Sequence, residues 1–178
     1  IRRPPRSTLF PYTTLFRSLP NLLKHIENVT KVWNLPAVVA INAFPTDTQK
    51  ELELVEQKCR EMGVHVALSQ VWAKGGEGGE ELAREVLKLI DTADLSHFQF
   101  TYPDEMGIAE KIETIAKTIY GADGVDILPA AKKQIKQIEE MGFAHVPVCM
   151  AKTQYSLSDD QKKKGRPQGQ DRKSTRLN

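Results

Sequence analysis

The chain has 178 residues, close to the size of one domain, with 40% hydrophobic and 27% charged residues and a formal charge of +2. That sign comes from the ends. Removing four Arg in 1–18, and three basic residues plus Asp171 in 171–178, from totals of 25 basic and 23 acidic leaves 18 and 22, a net of −4 over 19–170. A basic nucleic-acid surface and a polybasic membrane patch are thus unsupported, and no apolar run nears the ~18 residues of a membrane helix.

Both ends read as foreign to the rest. Ile1 to Ser18 is IRRPPRSTLFPYTTLFRS, with a repeated TLF and no apolar period, and Asp171 to Asn178 is DRKSTRLN. Both resemble translated sequencing adapter and are expected to stand outside the fold; a basic, acid-free start also imitates a targeting peptide. Cys59 and Cys149 form no CxxC pair, and the four His are scattered without metal-ligand spacing. Two buried thiols in a reducing cytoplasm and no metal site are the expectations.

Leu19 to Trp33 predicts a helix, with Leu22, Leu23, Ile26 and Val29 on one face, ended by Pro36. Ala37 to Ile41 (AVVAI) is a continuous apolar run, as suits a strand buried in a parallel sheet. After the loop Asn42–Thr46, a helix over Asp47–Met62 can start on Thr46 with Gln49 or on Thr48 with Glu51, both capping-box patterns. Its buried stripe is Leu52, Val55, Cys59 and Met62, and Gly63 is its C-terminal cap. Val64 to Leu68 predicts a second strand, Ser69 to Gly79 a second loop, and Glu80 to Ile90 a third helix with Leu82, Ala83, Val86, Leu87 and Ile90 inward.

This alternation predicts an α/β fold, a parallel sheet flanked by helices. Both loops then leave the carboxyl ends of parallel strands, the edge where open α/β sheets bind ligands. A second unit follows the first, over 98–170 against 19–97. It has an extended stretch at Phe98–Asp104, a helix over Ile108–Tyr120 capped by Gly121, and another over Pro129–Met141 closed by Gly142. A third strand is expected at Val146–Ala151, entering the loop KTQYSLSDD.

The two loops of the first unit carry the chemistry. Phe44 in INAFPTDT and Trp72 in SQVWAKGGEGGEEL stand among Gly, Pro, Thr and Asp, where an aromatic is poorly placed for a core. Packing over a neighbouring helix is the plain alternative for either ring alone; together they can grip a flat heterocycle such as adenine or a pterin. GGEGG at Gly75–Gly79 allows close backbone approach and opens a helix that could face an anion, or is simply a flexible entry. Pro45, Thr46 and Asp47 are read equally as turn and cap chemistry. Lys74 and Lys152 are candidate anion contacts, though a lysine after a strand is commonly just solvated. The chain has no GxxxxGK[ST] and no Ser–His–Asp or Cys–His set, so it displays a binding surface more clearly than a catalytic centre.

FPTDT, VWAKGGEGG and CMAKTQYSLSD, with NLLKHIENV, KIETIAKTIYGADGV and KGRP, closely resemble the formate–tetrahydrofolate ligases over 19–170. The resemblance implies a fold similar to P-loop nucleotide enzymes, of which this would be an incomplete piece. It implies ligation of formate to tetrahydrofolate with ATP and Mg2+ through formyl phosphate, activation by a monovalent cation, and a homotetramer with only small-molecule partners. It places Phe44 and Trp72 on the pterin ring. Ala43, Pro45, Thr46, Asp47, Gly75, Gly76 and Gly78 fall near the nucleotide and folate site. The P-loop half is missing, so this stretch alone is expected to be inactive. A non-catalytic folate- or nucleotide-binding module is the alternative.

Overall fold

The computed structural model describes residues 11–150, with side chains from residue 19 onward, together with Leu157 and Arg166. Lys152, residues 1–10 and residues 171–178 lie outside the described residues. The chain divides into two compact units, Ile1–Phe98 and Gln99–Asn178.

In the first unit, helix α1 spans Pro11–Glu27 and widens into a π-helical turn at Asn28–Val32. It starts eight residues before the Leu19 at which the sequence places the helix start. Once the amphipathic turns are formed, each further helical residue adds a hydrogen bond at little extra cost, so helix propagates into a segment without an apolar period. Pro20 sits inside α1 without a backbone donor. The helix ends where Asn34 takes a left-handed φ of 51°, with Leu35 N donating to Val29 O at 2.9 Å.

Strand β1 spans Val38–Asn42 and β2 spans His65–Ser69. They pair in parallel, in the register Val38 with His65 through Asn42 with Ser69. Helix α2, Gln49–Glu61, supplies the crossover. Its start uses the second of the two capping boxes: Thr48 N donates to Glu51 Oε2 at 3.0 Å and Glu51 N to Thr48 Oγ1 at 3.3 Å. Gly63 follows at φ 76°, as a helix-terminating glycine should. The core is Ile26, Cys59 and Val64, packed with Leu22, Leu23, Val39, Val55 and Met62. Each fully buried aliphatic side chain of this kind contributes about 1.5–3 kcal/mol.

Helices α3 (Val71–Lys74) and α4 (Glu80–Thr92) complete the unit, joined by a 3-10 turn at Gly75–Gly79. The inward face expected of α4 is wrong in large part. Leu82, Glu85 and Leu89 are its half-buried residues, while Ala83, Val86, Leu87 and Ile90 are exposed. Leucines occur on more than one side of this helix, so its spacing alone allows several rotations about the axis.

In the second unit, α5 (Ile108–Ile115) continues into a π-helical turn, Ala116–Tyr120, closed by Gly121 at φ 69°. Its face of Ile108, Ile112, Ile115 and Ala116 is buried. Helix α6 spans Pro129–Glu140 with proline in its first turn. The expected third strand is absent from Val146–Met150. Pro147 has no ladder donor, and side chains hold the segment instead. Tyr102 Oη accepts from Val148 N at 3.0 Å and donates to Val148 O at 3.2 Å.

The residue behind that arrangement is Lys111, fully buried on the apolar face of α5. Its Nζ donates to Asp104 O at 2.8 Å, His145 O at 2.7 Å and Val146 O at 3.3 Å, and stands 5.3 Å from the Tyr102 ring centroid. Three ammonium donors meet three carbonyls, the satisfaction a buried lysine requires.

Candidate functional site

The two strands end together, and the ladder runs one step further, with Ala43 N donating to Ser69 O at 3.0 Å. Both aromatic loops therefore leave one edge of the sheet side by side. The Phe44 and Trp72 ring centroids lie 6.5 Å apart, with the planes tilted by 43°. Trp72 is 65% exposed and Phe44 is half-buried, so this pair stands at the surface and is not core. The separation falls within the 4.5–7 Å of an ordinary aromatic pair. A planar guest needs the two planes parallel and roughly 7 Å apart, twice the ~3.5 Å contact distance.

Each ring is set by its own backbone device. In the first loop, Asp47 N donates to Phe44 O at 2.9 Å, closing a β-turn with Pro45 at its second position. The Asp47 carboxylate then accepts from Phe44 N at 2.8 Å. Asp47 is thus engaged with the Phe44 backbone, and Pro45 and Thr46 form the exposed tip. Thr48 begins α2 immediately afterwards, anchoring the turn to a regular element.

In the second loop, Gln70 is the anchor. Its carbonyl accepts from Ala73 N at 2.9 Å and Lys74 N at 3.0 Å, and its N–H donates to Gly78 O at 2.9 Å. Trp72 sits inside the short helical turn so formed. A four-residue helix has no legible apolar period, so the sequence reads as a plain loop where the structure has α3 and a 3-10 turn. Gly75 adopts φ 61° and ψ −141°, a region that favours glycine. A Cβ on Gly76 would meet nothing within 4 Å, whereas one on Gly78 would stand 2.4 Å from the Gln70 carbonyl carbon. Lys74 is exposed at the end of α3.

A separate open cleft of about 660 Å³ lies at the opposite edge of the sheet, lined by Asn34, Ala37, Val64, His65, Asp94 and His97 among others. Its imidazoles already have carboxylate neighbours: His65 Nδ1 is 2.9 Å from Glu85 and His97 Nε2 is 3.9 Å from Asp94. Among the described residues no cluster of three His, Cys, Asp or Glu could hold a metal ion, and no helix is long and apolar enough to cross a membrane.

Comparison with known proteins bears on the same residues. A family model described as formate–tetrahydrofolate ligase matches residues 11–173. A formate–tetrahydrofolate ligase of Psychrobacter sp. (strain PRwf-1) is 52% identical over 159 residues, which cover 88% of this chain. The chain spans 28% of that relative's length. With one family matched almost end to end, and both aromatic loops inside the match, the chain belongs to the formate–tetrahydrofolate ligase family.

Proposed function

We propose that this chain is the pterin-gripping part of an ATP-dependent ligase that joins formate to tetrahydrofolate. Formyl phosphate is the intermediate attacked by the folate amine, and the family fold is similar to that of P-loop nucleotide enzymes. The observation that carries the proposal is the Phe44–Trp72 pair, 6.5 Å apart at the carboxyl edge of a parallel sheet. Two aromatic faces bind a flat heterocycle by dispersion and offset stacking, worth about 1–3 kcal/mol per ring by analogy with nucleobases. Ala43, Pro45, Thr46, Gly75 and Gly76 lie in the same two loops, beside the ring-bearing residues, and Lys74 adds a cation there.

Phosphoryl transfer depends on a phosphate cradle and a metal. Among the described residues no group of three His, Cys, Asp or Glu could hold a metal ion, and the chain contains no GxxxxGK[ST]. We assign ATP phosphates, Mg2+ and the activating monovalent cation to the part of the family protein beyond this chain. The whole protein is read as a cytoplasmic homotetramer.

The test is direct. The 178-residue chain, mixed with formate, ATP, magnesium and tetrahydrofolate, is expected to give no formyltetrahydrofolate above a catalyst-free control, while a full-length relative does. Tetrahydrofolate should bind the chain weakly, because a half-built cleft leaves much of the ligand in water. Nanomolar affinity without turnover would instead favour a stand-alone binding module.

A further inference from the structure

We infer that Gly78 is the positioning residue of the Trp72 ring: the absence of a side chain there lets the Gln70–Val71 backbone fold against the glycine turn and so aims the indole at Phe44. A Cβ at position 78 would lie 2.4 Å from Gln70 C, 2.5 Å from Gln70 O and 2.7 Å from Val71 N. All three are main-chain atoms, so no rotamer change can relieve the overlap, and the backbone that begins the Trp72 turn must move. The contact is held from the other side as well, since Gln70 N donates to Gly78 O at 2.9 Å. Gln70 O in turn accepts from Ala73 N and Lys74 N, so the two residues after Trp72 are held through an atom that a Cβ at position 78 would strike.

The neighbouring glycines differ. Gly76 has open space where a Cβ would go, and a Cβ on Gly79 would meet only the movable Cγ2 of Val71 at 3.1 Å. Within GGEGG, Gly78 therefore serves the architecture of the aromatic pair, while Gly75 and Gly76 are left to face solvent or a ligand. Aim matters because stacking weakens steeply once a ring loses its parallel, contact-distance placement. The consequence for ligand binding rests on the pterin assignment proposed above; the consequence for ring geometry does not.

The experiment compares the 178-residue chain with Gly78→Ala and Gly76→Ala, using proton NMR cross-peaks between the Phe44 and Trp72 rings. Far-UV circular dichroism reports folding. Gly76→Ala should keep the ring cross-peaks; Gly78→Ala should lose them and shift the Trp72 indole resonances while the Ile26, Cys59 and Val64 core resonances stay. Unchanged cross-peaks in Gly78→Ala overturn the inference. Amide exchange of Gln70 in the unsubstituted chain decides the matter should Gly78→Ala not fold. Protection at Gln70 beyond that of Gly76 supports the lock, and exchange as fast as Gly76 overturns it. A parallel tetrahydrofolate titration separates the two levels. If ring contacts respond as stated but the unsubstituted chain shows no binding, the pterin assignment fails and the positioning role stands. If it binds, Gly78→Ala should weaken the affinity at least about tenfold, equivalent to about 1.4 kcal/mol, and an affinity unchanged in Gly78→Ala would overturn the link between ring aim and binding.

Discussion

Phe44 and Trp72 meet at 6.5 Å because two unrelated backbone devices end at the same place. Asp47 folds a carboxylate back onto Phe44 N, and Gly78 yields its Cβ space to Gln70. Neither device covers the indole, which stays exposed. In a complete ligase carrying this segment, Trp72→Ala should weaken tetrahydrofolate binding by about 1–3 kcal/mol, measured by equilibrium titration, with thermal stability nearly unchanged. An affinity within twofold of the parent would remove Trp72 from the pterin grip. Lys111 makes the opposite case, a charge spent wholly on structure. Lys111→Met removes the donors of three carbonyls and should lower unfolding stability by about 3 kcal/mol, read from urea midpoints. A loss below about 1 kcal/mol would mean that water replaces the ammonium.

Among the elements, α2 sets the spacing of the site, since it connects β1 to β2 and its first residue follows the Phe44 turn. Its capping box satisfies donors at the helix start, and Glu51 is buried while doing so. Thr48→Ala should cost about 1 kcal/mol, and, because Thr48 adjoins Asp47, it should also broaden the Phe44 ring resonances. A stability loss without any change at Phe44 would show that the turn stands independently of the helix. Helix α4 teaches a different lesson. It places Leu82 and Leu89 inward and leaves Val86, Leu87 and Ile90 exposed, at 40%, 60% and 67%. Amphipathicity identifies it as a helix, yet the rotation of the helix about its axis is chosen by the surface of β2 against which it packs.

At the scale of the whole molecule, 18 basic against 22 acidic residues leave 19–170 mildly acidic within a chain of formal charge +2. Only one of the two thiols is buried as expected: Cys59 lies in the first unit's core, whereas Cys149 is exposed in the second because its segment joins no sheet. Burial pushes the Cys59 thiol up, so the folded state holds that proton more tightly than the unfolded chain. The associated stability is fully present below the ordinary thiol range and is lost as pH rises through it toward the folded value. Urea midpoints should therefore fall as pH rises above the ordinary thiol value of about 8.5, and fall less in Cys59→Ala. An equal fall in both proteins would exclude Cys59 as a source. A thiol reagent should label Cys149 in the native protein and Cys59 only after unfolding.

What the sequence alone determined is local or periodic. Apolar runs located β1 and β2, three-to-four spacing located α2 and α4, Gly121 and Gly142 marked the helix ends of the second unit, and Thr48 with Glu51 marked a helix start. The aromatic-bearing loops, and the family they resemble, were also legible without coordinates. Tertiary structure decided the rest. Val146–Met150 has a strand's composition but is tied to Tyr102 and Lys111 by side chains, because a strand requires a partner backbone and composition cannot supply one. Lys111 lies in register with Ile108, Ile112 and Ile115, a signal present in the sequence, though only the carbonyls of Asp104, His145 and Val146 explain it. The distinction between Gly76 and Gly78 is of the same kind. Identical residues two positions apart differ only in what lies opposite their missing Cβ, and that is a property of the folded chain alone.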